Sequence, residues 1–540
     1  MKGWGIDPCR RHCKSWFFKQ VLLIAESPSF SCGEYVKSDT YTYGYYHMLS
    51  PTFQRFCLLL KGLAAPEQTE ESTYCELGYG QGVSINIHAA ATPGKFYGTD
   101  FNPAQAAQAN ELCQASGSNA KLFEDSFEQM LNRNDLPQFD SINLHGIWSW
   151  ISTENQKIVV EFARKYLKSG GIFYNSYNCF PGWAPNSPMR ELFVLYDKFL
   201  GHNNTNTFDR IEGALKFTED MFATKPLYIQ RVPELVSALE AAKKEDHNYL
   251  AHEYFNRDWI CMYFTDVAEM LSEAKLEFAC TARPGENFDR FNLTEEAIQF
   301  LNKIQNPIMK EQVRDYFVNR QFREDIYVRG IRHLSSSERM ERILNTRFVL
   351  MKSKDISFTC GTPLGQMTLS EKLGNAVVEH LTAQNYKPKN FSEYMKQHRE
   401  ISLAEMEQTL IFLIINGTIM PCQSEEATKS VKHRCDSLNN YFFNKSKISS
   451  GIPYLASPVL GGAFTMGRFE QIFASMSKNG IKNVETLTTE AWNIIASQGQ
   501  RIIKEGRTLE SAEENIAEIK SMAEKFLDER VPILKALQII

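Results

Sequence analysis

The sequence predicts an α/β chain: a doubly wound, Rossmann-like domain in the first third, then mostly helical middle domains and a winged-helix-like C-terminal part. Strand, glycine turn and helix patterns alternate from Ser72 onward. Polar residues follow the ends of successive predicted strands, which is where doubly wound sheets bind their ligands. With 540 residues, 43% of them hydrophobic, the chain is too long for a single core.

The first third is built from repeated strand–turn–helix units. Asn102 and Pro103 supply an N-cap and a first-turn proline for one helix, and Gly170-Gly171 ends another. Such units in succession favour a parallel sheet. The predicted strands are residues 73–77, 95–100, 120–123, 139–144 and 172–177, and the predicted helices are residues 83–91, 104–116 and 154–168.

Composition and charge restrict the classes of function. The net charge is −5 with both signs scattered along the chain, so no positive field would concentrate nucleic acid. The 12 cysteines form no C-x-x-C pair, which is typical of the reducing cytoplasm and offers no metal site. No apolar run approaches the length of about 18 residues that a membrane span needs.

The N-terminal segment loosely imitates a signal peptide. Arg10 and Arg11 precede an apolar stretch from Trp16 to Ala25, but Lys19 interrupts that stretch and no clear small-residue cleavage site follows. We therefore interpret residues 1–40 as a terminal extension.

A glycine-rich loop follows the first predicted strand. Glycines let the backbone approach a ligand closely because no Cβ intervenes. A dinucleotide site would show G-x-G-x-x-G, whereas this loop has Gly78, Gly80 and Gly82, with Val83 at the last glycine position. The spacing disfavours a nicotinamide or flavin cofactor.

Acidic residues at three strand ends indicate a different cofactor. Glu76 precedes the loop and suits a cationic amino-acid end, which S-adenosylmethionine (SAM) has. Asp100 ends the second strand, where it can accept from both ribose hydroxyls. Asp125 and Ser126 follow the third strand, where they can hold the adenine amino group. The alternative is that these side chains are only helix N-caps.

Several motifs resemble bacterial class I SAM-dependent methyltransferases that carry a methyltransferase regulatory domain. That family includes the rickettsial-type protein-lysine methyltransferases of outer-membrane proteins. The resemblance implies SAM as cofactor, a protein substrate with lysine as the favoured acceptor, and a homodimer. Its motifs lie at residues 76–82, 97–103, 144–150, 176–178, 181–183, 249–256 and 454–459.

The resemblance also implies a layout of domains. We expect an N-terminal extension, a SAM-binding methyltransferase domain, a helical methyltransferase regulatory domain, a middle region with a winged-helix-like segment, and a C-terminal helical domain. Their expected bounds are residues 1–40, 41–200, 201–305, 306–425 and 426–540.

Aromatic residues beside the cofactor site are candidates for contact with the acceptor. In an extended segment Tyr41, Tyr43 and Tyr45 share one face, with Tyr46 opposite. Such rings can hold a lysine by cation–π contact, and we take Tyr43 and Trp148 as catalytic candidates. The alternative for each ring is packing at a domain seam. Further candidates after the fourth and fifth strands are Trp148, Trp150, Tyr177 and Asn178.

His145 follows the fourth predicted strand and is a candidate for two roles. It can relay a proton, because the pKa of histidine lies near working pH, or it can hydrogen-bond the cofactor or a loop carbonyl.

The remaining chain is predicted to be mainly helical. Residues 189–222 and 253–274 have amphipathic patterns, and polar loops lie at residues 202–207 and 243–247. His247, His252, Glu253 and Asp258 fit no metal-ligand spacing, so helix surface and capping are favoured. Residues 369–420 have the outline of a winged helix, but their many glutamates favour protein contact over DNA. Residues 509–537 predict one or two helices.

Three functions remain open on the sequence. The first is a methyltransferase acting on a protein side chain, the second a small-molecule methyltransferase, and the third a non-catalytic SAM-binding regulator. The large helical part behind a complete cofactor domain favours the first, because a small-molecule enzyme needs only a lid.

Overall fold

A computed structural model describes residues 43–201, 206–245, 247–256 and 258–540, without the side chains of residues 247–249 and 252. The predicted N-terminal extension and Tyr41 lie outside the described residues. In the part of the chain that the structure describes, no group of three or more His, Cys, Asp or Glu could hold a metal ion. Nor is any described helix long and apolar enough to cross a membrane.

The centre of the molecule is a seven-stranded sheet with the order β3-β2-β1-β4-β5-β7-β6. The first five strands are parallel, and β7 runs antiparallel between β5 and β6. This confirms the predicted doubly wound α/β domain. The strands are β1 Thr73–Leu77, β2 Lys95–Thr99, β3 Lys121–Phe123, β4 Phe139–Leu144, β5 Leu167–Asn178, β6 Glu277–Thr281 and β7 Phe322–Val328.

Helices cover both faces of the sheet. On one face Phe162 and Phe264 pack with Phe173 of β5 in one hydrophobic cluster, and on the other Phe53 packs with Tyr174. The helices up to residue 318 are α1 Pro51–Leu60, α2 Val83–Ala91, α3 Pro103–Ser116, α4 Phe127–Asn132, α5 Thr153–Tyr166, α6 Ser187–Phe199, α7 Thr207–Ala223, α8 Leu227–Arg231, α9 Glu234–Ala242, α10 His247–Tyr254, α11 Phe264–Ser272, α12 Glu295–Leu301 and α13 Pro307–Val318.

Local signals fix the predicted helix ends. The Asn102 side chain accepts the N–H of Ala104 at 3.0 Å, with Pro103 in the first turn of α3. Gly117 ends that helix at φ +64°, in the left-handed region that favours glycine. Helix α5 ends at Tyr166 rather than Lys168, because β5 begins ahead of the Gly170-Gly171 pair.

Strands β6 and β7 lie beyond residue 200. They fall in the regions predicted as the helical regulatory domain and the middle region, respectively. The α/β layer therefore does not end at that predicted boundary. Strand β7 is hard to recognise because it carries buried charges: Arg323 contacts Asp315 at 2.6 Å and Asp325 at 2.8 Å. Ion pairing makes this burial tolerable, although hydropathy alone argues against it.

Helices α6 to α10 form a helical lobe between β5 and β6, with a core that includes Phe193, Leu215 and Leu235. The predicted helical stretch 189–222 is two helices, α6 and α7. The predicted helix 253–274 is wrong as a single element: α10 ends at Tyr254 and α11 begins at Phe264, and the described residues between them, 255–256 and 258–263, are not helical.

The C-terminal part contains the three expected helices α15 to α17 followed by strand β11, which pairs antiparallel with β8. Its identification as a winged helix stays a prediction. The elements are α14 Ser336–Asn345, β8 Arg347–Leu350, β9 Thr359–Thr362, β10 Gly365–Thr368, α15 Glu371–Thr382, α16 Ser392–Gln397, α17 Leu403–Ile415, β11 Ile419–Cys422, α18 Glu425–Ser446, β12 Tyr454–Ser457, β13 Gly462–Thr465, α19 Arg468–Lys478, α20 Val484–Ser497, β14 Ile503–Lys504, β15 Arg507–Thr508, α21 Ala512–Lys525 and α22 Val531–Ala536.

This C-terminal part packs directly on α2, the helix that follows the glycine loop. The Gln423 side chain donates to the carbonyl of Ala91 at 2.8 Å, and the Cys435 thiol donates to that of Ala90 at 3.4 Å. The C-terminal part therefore supports the helix that follows the glycine loop of the candidate cofactor site.

Candidate active site

The glycine loop between β1 and α2 has three left-handed residues, Gly78, Gly80 and Gly82, with φ of +76°, +57° and +72°. A Cβ on Gly78 would meet Ile147 at 2.4 Å, and one on Gly82 would meet Ala109 at 2.3 Å. A Cβ on Gly80 would meet nothing within 4 Å. Protein packing thus requires the outer glycines, whereas Gly80 borders open space that a ligand can fill.

Asp100 lies at the end of β2, directly beside this loop. Its carboxylate accepts the N–H of Gly80 at 2.9 Å and that of Asn102 at 3.0 Å. Burial raises its pKa to about 6, although both hydrogen bonds act in the opposite direction. The carboxylate is therefore fixed at the point where the sequence predicts ribose binding.

Glu76 is buried near the end of β1, with 8% of its surface exposed. Burial and the neighbouring Asp100 raise its pKa to about 8. Two buried carboxyls side by side are costly unless a cation joins them. The pair thus fits a ligand with an ammonium group, which agrees with the amino-acid end of SAM.

Asp125 and Ser126 lie at the end of β3, as predicted, but their side chains have structural partners. Asp125 forms an ion pair with Arg133 at 2.7 Å. The Ser126 hydroxyl accepts the N–H of Gln129 at 3.2 Å as the N-cap of α4. The Ser126 contact is that of the helix-cap alternative, whereas Asp125 is held by an ion pair, and adenine recognition by the two residues stays a prediction.

His145 follows β4 and lies in a ring of polar and aromatic groups. Its Nδ1 shares a hydrogen bond with the Tyr174 hydroxyl at 2.8 Å. Burial and the charge of Arg283 lower its pKa to about 3. The imidazole is therefore neutral at working pH, so the geometry agrees with hydrogen bonding and disfavours proton relay.

Tyr46 is the predicted tyrosine that the structure brings to His145. The two ring centroids are 3.9 Å apart. The backbone N–H of Tyr46 donates to the Ser84 hydroxyl at 2.9 Å, which fixes the segment over the start of α2. The phenol also feels the charges of Glu76 and Glu253, and burial raises its pKa to about 12. Tyr46 therefore lies beside His145 and over the start of α2, and its contact with an acceptor stays a prediction.

Tyr43 and Tyr45 lie elsewhere, which corrects the choice of Tyr43 as a catalytic candidate. They do share a face, but that face packs against the C-terminal part. The Tyr43 ring lies 3.3 Å from the position that a Cβ on Gly451 would occupy. The ring centroids of Tyr45 and Tyr454 are 5.6 Å apart. Their role is the packing alternative.

The prediction that Trp148 contacts the substrate is also wrong, because its side chain is fully buried, with 0% exposed. It lies in the hydrophobic cluster that contains Phe162 and Phe264. Trp150 is half-buried, and the Arg190 guanidinium lies 5.7 Å from its ring centroid. Burial leaves Trp148 no surface with which to touch a substrate, whereas Trp150 stays near the edge of β4.

Tyr177 and Asn178 end β5 but make internal contacts. The Tyr177 hydroxyl donates to Asp325 at 2.8 Å inside the buried charge network. The Asn178 side chain accepts from the Trp183 indole N–H at 3.2 Å. Tyr177 is 1% exposed and therefore cannot contact a substrate, which corrects that prediction. Substrate contact by Asn178, which is itself buried, stays a prediction.

Sequence reasoning missed several groups around His145. Arg283 hydrogen-bonds Glu324 of β7, and Tyr174 of β5 contacts the imidazole. These residues come from distant parts of the chain, so no local motif links them to the site. The sequence does contain one signal that was overlooked: Phe101, a large aromatic residue, directly follows Asp100. In the structure its side chain is 45% exposed.

Two family models and two relatives match this chain. Residues 75–171 match the family described as a methyltransferase domain, and residues 246–329 match the family described as a predicted methyltransferase regulatory domain. An uncharacterized protein of Synechocystis sp. is 38% identical over 511 residues, which cover 94% of this chain and 99% of the relative. An uncharacterized protein of Rickettsia prowazekii is 26% identical over 283 residues, which cover 52% of this chain and 49% of the relative.

Solved structures share the fold. PKMT2 from Rickettsia typhi in complex with AdoHcy matches with a TM-score of 0.65 and 17% identity, over 90% of this chain and 99% of that one. A second structure of PKMT2 from Rickettsia typhi matches with a TM-score of 0.64 and 19% identity, over 90% of this chain and 99% of that one. Together with the loop at Gly80 and the buried pair Glu76 and Asp100, these findings identify SAM as the cofactor. The chain belongs to the class I SAM-dependent methyltransferases that carry a methyltransferase regulatory domain.

Proposed function

We propose that this methyltransferase modifies a protein side chain, with lysine Nζ of an envelope or other bacterial protein as the acceptor. One observation carries the proposal: the rings of Tyr46 and His145 pack together just beyond the carboxyl end of β4, and we call this pair the aromatic wall. The fully buried Tyr174 of β5 supports the wall through the hydrogen bond between its hydroxyl and His145 Nδ1. This wall lies beside Glu76, which belongs to the cofactor end of the site.

The aromatic wall suits an amine because its groups are uncharged. The pKa of His145 is lowered to about 3 and that of Tyr46 is raised to about 12, so both are neutral near pH 7. A lysine ammonium, with a pKa near 10.4, must lose a proton before it can attack a methyl group. Poor hydration disfavours the charged form and lowers the cost of that loss.

The division of labour within the site follows from the chain's own residues. Bound SAM supplies an activated methyl group. Glu76, Asp100 and the backbone at Gly80 are placed to fix the cofactor's polar ends. Tyr46 and His145 exclude water and align the acceptor nitrogen, because an in-line displacement needs position more than a protein nucleophile.

The accessory regions favour a macromolecular acceptor. The helical lobe α6 to α10 and the C-terminal part α14 to α22 far exceed the lid that a metabolite needs. The likeness to PKMT2 extends over 90% of this chain, so it includes these regions. This extent supports a protein substrate.

The test uses purified protein, methyl-radiolabelled SAM and a bacterial extract that contains denatured envelope proteins. Gel autoradiography should show discrete labelled protein bands with the unmodified enzyme and none with Gly80→Arg, whose side chain fills the open space of the loop. Mass spectrometry then locates the methylated residue, which we expect to be lysine.

Two results would contradict the proposal. Label confined to the small-molecule fraction would identify a metabolite methyltransferase. Binding of SAM with no label in either fraction would support a SAM-binding regulator.

A further inference from the structure

Methylation of a lysine requires a group that removes a proton from the ammonium. Any such group must lie near Tyr46 and His145 and must exchange protons near neutral pH. His145 is too weak a base, because its pKa is lowered to about 3. Burial raises the pKa of the Tyr46 phenol to about 12 and that of Tyr174 well above its ordinary value, so both stay protonated.

The carboxyls around the wall differ in availability. Glu76 belongs to the cofactor's amino-acid end. Glu324 is already paired with Arg283, which occupies its carboxylate. Among the described residues that act on the Tyr46 phenol, Glu253 is the remaining carboxylate. It lies in the sequence motif 249–256, whose function the cofactor site does not explain.

The position of Glu253 is set by a buried arginine. Arg190 of α6 donates to the backbone carbonyl of Glu253 at 3.1 Å and to that of Asn256 at 2.7 Å. Its guanidinium lies 4.4 Å from the Trp259 ring and 5.7 Å from that of Trp150. Trp150 lies in the short turn after β4, and the Ile260 N–H donates to the carbonyl of the neighbouring Ser149 at 2.8 Å, so these contacts hold the end of α10 against the carboxyl edge of the sheet.

We propose that Glu253 is the acceptor-side carboxylate, which binds the cationic amine of the substrate and takes its proton before methyl transfer. The inference rests on the proposed amine acceptor. It assigns a role in the reaction to the regulatory-domain match at residues 246–329, in which Glu253 lies.

The chemical step balances. A proton passes from the substrate ammonium to the Glu253 carboxylate, which leaves a neutral amine and a neutral carboxyl. The amine lone pair then forms the N–C bond, and the electron pair of the breaking C–S bond stays on sulfur. The methylated nitrogen is again cationic, and Glu253 returns its proton to water.

The charges around Glu253 make this exchange feasible near neutrality. Burial raises its pKa to about 7, and the Arg190 charge acts in the opposite direction. Among the side chains that the structure describes, the phenols of Tyr46 and Tyr254 also face it, and their own pKa values are raised. A carboxylate in this range can accept a proton and release it within one turnover.

The test compares Glu253→Gln, Glu253→Asp and Glu191→Gln with the unmodified full-length protein. Glu191 is the matched control, because its charge also acts on Arg190 but its side chain is exposed. Enzyme preloaded with methyl-tritiated SAM is mixed with denatured envelope proteins, and protein-bound label is followed in a single turnover from pH 5.5 to 10. SAM binding is measured by calorimetry for each variant.

We expect the unmodified enzyme and Glu191→Gln to show a rate constant that rises with pH and levels off near pH 7. Glu253→Gln should bind SAM normally but react about 100-fold slower at pH 7. Its rate should keep rising to pH 10, where solution itself deprotonates the amine. Glu253→Asp should retain a levelling profile at a reduced rate.

An unchanged rate and pH profile in Glu253→Gln would overturn the inference. So would an equal loss at every pH, since that indicates a structural role. If the unmodified enzyme labels no protein at all, the proposed function fails instead, and the two failures are thereby distinguished.

Discussion

The cofactor side and the acceptor side of this site are built in different ways. The cofactor side uses Glu76, Gly80 and Asp100, which lie at the ends of β1 and β2, and the Gly80 N–H donates to the Asp100 carboxylate at 2.9 Å. The acceptor side assembles Tyr46, His145 and groups from the helical lobe and β7, which are far apart in sequence.

This difference separates a local from a non-local design. Cofactor binding depends on one short stretch of backbone, the glycine loop, against which the neighbouring helices pack. Acceptor binding depends on how the segment at Tyr46, the lobe and the sheet edge meet. We therefore expect cofactor-side substitutions to change SAM binding, and acceptor-side substitutions to change turnover while SAM binding persists.

The largest expected effect is at the glycine loop. Gly80 and Gly117 both have positive φ, +57° and +64°, and both have open space where a Cβ would point. Leucine at either position should cost about 1–2 kcal/mol of stability from backbone strain. Only Gly80→Leu fills the cofactor space, so its Kd for S-adenosylhomocysteine should rise by about 100-fold or more, measured by calorimetry.

Gly117→Leu is the control, since its strain lies at the end of α3. A comparable loss of binding in both variants would mean that strain, rather than occupation of the site, sets the affinity. The local design inferred for the cofactor side would then be wrong.

A smaller loss is expected for Glu76→Gln. The substitution keeps the shape but removes the charge that meets the ammonium end of the cofactor. A hydrogen bond to a charged group is worth about 1.5–3 kcal/mol, so the Kd should rise by about 10- to 100-fold. Glu71→Gln, at an exposed ion pair with Lys95, should leave the Kd unchanged. Unchanged binding in Glu76→Gln would place the cofactor's amino-acid end elsewhere.

The two sides also differ in how well the sequence predicts them. Most strands and helices between Thr73 and Asn178 follow from hydropathy, caps and glycines, although α4 was not predicted, and the glycine loop lies beside Asp100. The acceptor side could be predicted only in part. Tyr46 was selected with three other tyrosines, and alternation could place Tyr43 and Tyr45 on one face without showing that this face meets the C-terminal part.

The remaining errors have the same physical origin. Trp148 lies where acceptor groups are expected, but tertiary packing buries it completely. Strand β7 escaped detection because Arg323 and Asp325 neutralise each other within the core. Both outcomes depend on partners that are distant in sequence, and a single sequence does not display these.

A moderate effect should separate two neighbouring tyrosines. Tyr46→Ala removes the ring that packs on His145, so turnover of the protein substrate should fall about 10-fold while SAM binding persists. Tyr45→Ala removes packing on Tyr454 and should lower the free energy of unfolding by about 1 kcal/mol with turnover retained. Radiolabel transfer and thermal unfolding measure the two quantities. A turnover loss confined to Tyr45→Ala would reverse the assignment.

The smallest effect is a change in proton count rather than in rate. Without a cation nearby, Glu76 has a pKa of about 8, so it carries its proton at pH 7. Since the unfolded carboxyl has an ordinary pKa, this group stabilises the cofactor-free fold at low pH, and the contribution is lost as the pH rises to about 8. An ammonium beside the carboxylate lowers the pKa, so binding of S-adenosylhomocysteine at pH 7 should release roughly one proton.

Calorimetry in buffers of different ionisation enthalpy measures this number of released protons. It should fall toward zero at pH 9.5, where Glu76 is already ionised, and should vanish in Glu76→Gln at pH 7. Release that persists in Glu76→Gln would assign the proton to another group, and the cofactor side would then be less local than its geometry indicates.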